Sequence, residues 1–151
     1  MSNIAFIGLG NMGGPMAANL VRAQQSVRGF DLVAASRAAA DKEGVTIVGS
    51  NAEAVAGADV IVTMLPAGRH VIAVLEEILP TAKRGALIID SSTIDFDSAK
   101  KAHAMAKEKG LLFLDAPVSG GTVGAKAGTL TFMCGGEPAA FEAAKPDRKS
   151  T

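Results

Sequence analysis

The chain has no tryptophan and no tyrosine, one cysteine and two histidines in 151 residues. Its six phenylalanines are scattered, so it offers no aromatic platform on which single-stranded bases could stack. Cys134, standing alone, excludes an intramolecular disulfide and a cysteine-based metal cluster, and no metal site is expected. Charge of one sign is missing too: 15 Lys and Arg balance 15 Asp and Glu, with no long block of either. That balance argues against nucleic acid or an acidic surface as partner. No apolar run reaches the roughly 18 residues of a membrane span, and no basic segment precedes an apolar stretch at the start. A cytoplasmic location and no membrane partner are expected. What remains is 48% apolar and 20% charged, the composition of a globular chain long enough to bury a real core.

What is present alternates. Apolar strand-like runs occur at 4–7, 26–30, 46–48, 60–64, 86–89, 111–114 and 129–133. Helical spacing fills 11–23, 33–42, 51–55, 68–78, 96–109 and 138–145. Asn51 with Glu53, and Asp95 ahead of a helix-forming run, read as helix starts. Gly110, behind Lys107 and Lys109, reads as a helix stop. The runs at 60–64 and 86–89 carry no polar alternation, as suits strands of a parallel sheet covered on both faces. The pattern predicts an α/β fold of Rossmann type, a doubly wound and mostly parallel sheet.

The first strand-like run stops at Gly8, Gly10 and Gly13, spaced G-x-G-x-x-G, and a helical stretch follows. In a parallel sheet the ligand sits beyond the carboxyl ends of the strands. Gly8 allows the tight turn, Gly10 lets a pyrophosphate approach the backbone, and Gly13 lets the helix pack closely on the strand. The free amides at the helix start then face the phosphates. The second run ends in Asp31, 18 residues after Gly13, placed to bond the adenosine ribose hydroxyls. The next arginine is Arg37, so a 2′-phosphate would meet a carboxylate and little positive charge, and NAD is favoured over NADP. Asp31 also has a plainer reading, a turn residue closing a strand.

Other residues support bland and functional readings side by side. Leu65-Pro66-Ala67-Gly68 must turn sharply. Ser119-Gly120-Gly121 offers a hydroxyl and adjacent unhindered amides, which can grip a carboxylate without a fixed charge. Either segment could equally be an ordinary strand-to-helix turn. His103, on a Lys-rich helix face, reads as solvated; Cys134 reads as a small buried hydrophobe. Asp90 and Asp115 each close an apolar run, where acids commonly fix turns. Ser91 and Ser92 have no neighbouring base to activate them.

Several segments together resemble the β-hydroxyacid dehydrogenase family. They are FIGLGNMGGPMAANL at 6–20, TMLPAGRHV at 63–71, DSSTI at 90–94, DAPVSGG at 115–121 and AGTLTFMCGG at 127–136. The resemblance implies a cofactor domain over residues 1–146 that binds NAD through Gly8, Leu9, Gly10, Asn11, Met12, Gly13 and Asp31. Leu65, Pro66, His70 and Thr93 would contact the cofactor from the later loops. His70 stands where some relatives carry asparagine. Ser119, Gly120 and Gly121 would hold the substrate carboxylate. The implied reaction is hydride transfer between a small 3-hydroxyacid and its semialdehyde, with 3-hydroxyisobutyrate the first candidate and tartronate semialdehyde the next.

The family's catalytic lysine lies in a Gly-x-x-x-Lys motif of an all-helical second domain, and no Gly-x-x-x-Lys occurs in this sequence. No catalytic residue is therefore assigned, and turnover by the chain alone is not expected. Residues 147–151 form a polar tail outside the resemblance, which reads as a truncation or frame change. Leu130, Phe132 and Phe141 would be left exposed, so a homo-oligomer is expected. A non-enzymatic module that keeps the dinucleotide site is the alternative.

Overall fold

The computed structural model describes residues 3–119, 131–132 and 135–136. The strands are β1 (Asn3–Ile7), β2 (Ser26–Phe30), β3 (Thr46–Ile47), β4 (Val60–Thr63), β5 (Leu87–Asp90), β6 (Leu112–Asp115), β7 (Val118–Ser119), β8 (Thr131–Phe132) and β9 (Gly135–Gly136). The helices are α1 (Gly13–Arg22), α2 (Ala34–Lys42), α3 (Asn51–Val55), α4 (Gly68–Ile78) and α5 (Phe96–Glu108). The main sheet runs β3-β2-β1-β4-β5-β6-β9, parallel except for β9, which lies antiparallel to β6. This is the expected doubly wound α/β fold. Its strand order reverses between β1 and β4, and ligands of such sheets bind in the crevice at that point.

The core follows from the pleat. Successive β1 residues point to opposite faces: Ile4 and Phe6 pack with Met16 and Leu20 of α1, while Ala5 and Ile7 pack with α3 and α4. The same split runs through β4 and β5, where Ile61 and Ile88 face α4 and α5, and Val60, Val62, Leu87 and Ile89 face the other way. A strand buried on both faces cannot alternate, which is why these runs read as uninterrupted apolar stretches. Among the described residues no helix is long and apolar enough to cross a membrane.

Several local expectations need correction. The cap of α3 is Ser50, whose hydroxyl accepts from Glu53 N at 3.1 Å; Asn51 is the first helical residue and its amide reaches Glu77 at 3.1 Å. A serine one position earlier was the better acceptor for the third amide of the turn. His103 is not a free surface group: it is half-buried, with its ring edge-on to Phe113 at 6.1 Å. Of the closing strand expected at 129–133, the described residues 131–132 form β8, which pairs with β7; the strand that pairs with β6 is β9, just beyond that range. Two-residue ladders leave no periodicity for a sequence to show. Asp95 does cap α5, accepting from Ser98 N at 3.0 Å, and Gly110 ends it with φ at +78°. The helix expected at 138–145, Cys134, Leu130 and Phe141 lie outside the described residues, and of Phe132 only the backbone is described.

Candidate dinucleotide site

The turn out of β1 is set by what cannot fit there. Gly8 has φ at +97°, and a Cβ on it would lie 2.2 Å from the Met64 carbonyl oxygen. A Cβ on Gly13 would lie 1.8 Å from the Gly8 carbonyl oxygen, so α1 can start this close to the strand only without one. Gly10 differs: nothing lies within 4 Å of its missing Cβ, which faces open space. Met12, the residue before α1, makes no side-chain cap bond, and the first-turn amides of a helix have no acceptor in its own ladder. Bare backbone, open space and a helix start together fit a pyrophosphate.

Asp31 closes this end of the site. Its carboxylate accepts from Leu9 N at 2.7 Å and from Val33 N at 2.8 Å, tying the end of β2 to the glycine turn 22 residues earlier. Leu32 and Val33, just beyond it, are 87% and 56% exposed. Arg37 returns from the first turn of α2, donating to the carbonyls of Asp31 at 2.7 Å and Leu32 at 3.1 Å. Its guanidinium lies 5.8 Å over the Phe30 ring. The charge that sequence spacing set apart is thus beside Asp31.

A polar row lies at the other side of the strand-order reversal. Thr63, Asp90 and Asp115 are register neighbours at the ends of β4, β5 and β6. Thr63 donates to Asp90 at 2.8 Å, Ser92 N donates to the same carboxylate oxygen at 3.1 Å, and Leu65 N donates to the Ser92 hydroxyl at 2.8 Å. The loops after β4 and β5 are clasped together by these bonds. Burial pushes the Asp90 carboxyl above its usual range, although the bonds from Ser92 and Thr63 oppose the shift. Asp115 is pushed up to about 6, first by burial and then by the Asp90 charge. Asp90 Oδ2, Ser91 Oγ, Asp115 Oδ1 and His70 Nδ1 are buried and have no hydrogen-bond partner among the described residues.

The structure brings Gly8, Leu9, Gly10, Asn11, Met12, Gly13 and Asp31 together at the ends of β1 and β2. Leu65 and Pro66 lie on the loop after β4, His70 in the first turn of α4, and Thr93, exposed, on the loop after β5. Ser119 is described by its backbone, which pairs with Thr131 in β7–β8; Gly120 and Gly121 lie outside the described residues. Sequence reasoning missed Arg37 and Thr63 as structural partners of the two acids. A polar residue ending each of three neighbouring strands was the available signal for Thr63. A groove of about 620 Å³ between α1 and α2 meets the glycine turn at Leu9, Gly10 and Asn11 but does not extend to Asp31 or the later loops. Among the described residues no three His, Cys, Asp or Glu are placed to hold a metal.

Residues 3–147 match the family model of the NAD binding domain of 6-phosphogluconate dehydrogenase. The chain belongs to this family. The resemblance carried by the five segments is thereby confirmed, and the matched domain is an NAD binding domain. A probable 3-hydroxyisobutyrate dehydrogenase of Mycobacterium tuberculosis is 50% identical over 97% of this chain and 50% of its own length. An NAD-dependent L-serine dehydrogenase of Pseudomonas aeruginosa is 49% identical over the same shares. The solved structure of the Mycobacterium tuberculosis 3-hydroxyisobutyrate dehydrogenase with L-serine has a TM-score of 0.98 at 49% identity, covering 99% of this chain and 52% of that one. The chain spans about half the length of the curated relatives it matches.

Proposed function

We propose that this chain is the cofactor-binding part of an NAD-dependent oxidoreductase that interconverts a small 3-hydroxyacid and its semialdehyde, with 3-hydroxyisobutyrate as first candidate. The observation that carries the reading is Asp31. One carboxylate is bonded to the glycine turn and stands at the end of β2, where adenosine hydroxyls would be recognised. In this reading the amides at Gly10, Asn11, Met12 and Gly13 hold the phosphates, and Gly8 with Leu9 shapes the turn. Leu65, Pro66 and His70 line the cofactor, Thr93 reaches the nicotinamide-side ribose, and Ser119, Gly120 and Gly121 take the substrate carboxylate. Bound NAD would supply the hydride acceptor. The names of the relatives support the substrate class: L-serine is itself a small 3-hydroxyacid. The reading takes residues 1–146 as the domain and 147–151 as a tail outside it, and includes a cytoplasmic location and self-association.

Fluorescence titration with NADH and NADPH tests it. NADH is expected to bind more tightly, and Asp31→Ala to weaken it by about 1–2 kcal/mol, the scale of bonds lost to a charged acceptor. Tighter binding of NADPH by the unmodified chain would refute the preference. Saturable NADH binding without turnover, even beside the partner half of a relative, would favour the non-enzymatic module.

A further inference from the structure

Arg37 could act on a dinucleotide in two opposite ways. A guanidinium beside Asp31 could offer its charge to a 2′-phosphate and so admit NADP(H). Or it could be used up internally. The geometry bears on this directly. Side chains in a first helical turn lean back toward the helix start, so Arg37, the fourth residue of α2, reaches the β2–α2 turn. One terminal nitrogen, Nη1, donates to the carbonyls of Asp31 and Leu32 at the exposed corner, and the guanidinium lies over the Phe30 ring. No ion pair joins it to the Asp31 carboxylate, whose two oxygens are bonded to amides instead.

Resting on the NAD reading above, we infer that Arg37 is a positioning residue for dinucleotide choice: by fixing the Asp31 and Leu32 carbonyls it holds the Asp31 carboxylate on the ribose side of the turn, and in doing so it withholds its own charge from a 2′-phosphate. The planar fork matters. A lysine is a single, strongly hydrated point donor on a flexible stem, and it neither stacks on Phe30 in the same way nor stays with two carbonyls. Freed to swing outward, an ammonium here would meet the place where a 2′-phosphate lies.

The test uses the full chain, with NADH and NADPH titrated into the unmodified protein, Arg37→Met and Arg37→Lys, at low salt and at 0.5 M salt, where the Debye length falls to about 4 Å. Arg37→Met is expected to weaken NADH about three-fold or more and NADPH less, so the preference narrows. Arg37→Lys is expected to tighten NADPH relative to the unmodified chain, with the gain lost at 0.5 M salt. Thermal midpoints report whether each variant is folded; if Arg37→Met is not, the Lys variant decides by itself. Equal weakening of both dinucleotides in both variants, or an unchanged ratio, would overturn the inference and leave Arg37 a folding residue. An unmodified chain that prefers NADPH and loses that preference in Arg37→Met would overturn it in the opposite direction. Failure of the unmodified chain to bind NADH would refute the underlying reading, and the inference with it. A normal NADH preference with inert variants would refute only the role of Arg37.

Discussion

At the β1–β2 end of the carboxyl edge the ionised groups are all spoken for; at the β5–β6 end they are not. Asp31 has both oxygens bonded and Arg37 is bonded twice. Asp90, by contrast, keeps one buried oxygen without a partner among the described residues, as does Asp115, and the Ser91 hydroxyl is likewise unpartnered among them. A buried polar group left in this state costs about 1–3 kcal/mol. The two ends therefore stand differently with respect to a ligand. The first is organised by the chain's own bonds and needs a dinucleotide only to fill it. The second carries polar groups whose cost is not offset locally, next to the segment leading to Ser119. Strained or unsatisfied groups of this kind concentrate where proteins work rather than where they merely fold.

The sharpest way to break this comparison is to ask whether the β5–β6 end works unaided. The chain is expected to form negligible NADH from 3-hydroxyisobutyrate, because the sequence holds no Gly-x-x-x-Lys and general acid-base help alone is typically worth about 10²–10⁴ in rate. Steady-state absorbance at the NADH band measures it. Turnover that disappears in Asp115→Asn or His70→Ala would show that one of these groups serves as the base and that this end is self-sufficient.

The β1–β2 end is tested by two glycines with opposite surroundings. Gly8→Ala should cost about 3 kcal/mol, since a left-handed backbone and a carbonyl in the way of the new methyl act together. Gly10→Ala should leave stability within about 0.5 kcal/mol, because its methyl enters open space, yet weaken NADH binding by filling the approach to the backbone. Urea unfolding and NADH titration of both variants separate the effects. Equal stability losses would show that Gly10, like Gly8, is there for the fold.

The difference between the two ends also explains what could be seen in advance. The turn was legible because its causes are local: a strand, three glycines at fixed spacing and a helix start all fall within a dozen residues. The sheet was legible because burial on both faces removes polar residues from β4 and β5. Asp31 could be placed by counting, but not its bond to Leu9 N, since the two meet only when β2 pairs with β1. Arg37 stands six residues beyond Asp31 in the sequence, yet the backward lean of a first-turn side chain returns it to the strand end. The row of Thr63, Asp90 and Asp115 depends on the register of three strands far apart in sequence, which no spacing rule encodes. His103 against Phe113 is missed because α5 and β6 come into contact only after folding.

The smallest effect isolates the unsatisfied end. The Asp115 carboxyl is raised from its ordinary 3.8 to about 6 by burial and by the Asp90 charge. Well below pH 3.8 the group is protonated whether the chain is folded or not, and it has no effect on stability. Between about 4 and 6 the unfolded chain releases a proton that the folded chain keeps, so stability falls as pH rises through that window. Above 6 the full penalty of a buried charge beside Asp90 remains. Asp115→Asn removes the charge and keeps the shape. The variant should thus be more stable than the unmodified chain at pH 7.5, by ~1 kcal/mol once partial solvent screening is allowed for, with the gain shrinking toward zero near pH 4. The exposed carboxylates of Asp59 and Asp95, held below their usual range first by the side chains of Lys83 and Ser98, push stability the other way with pH. They are common to both proteins and cancel in the difference. Urea unfolding of the pair at pH 4.5 and 7.5 reads that difference directly. A stability change of the same size at both pH values would mean that the Asp115 charge carries no penalty from burial or from Asp90, and that the two ends of the carboxyl edge are more alike than their hydrogen bonds suggest.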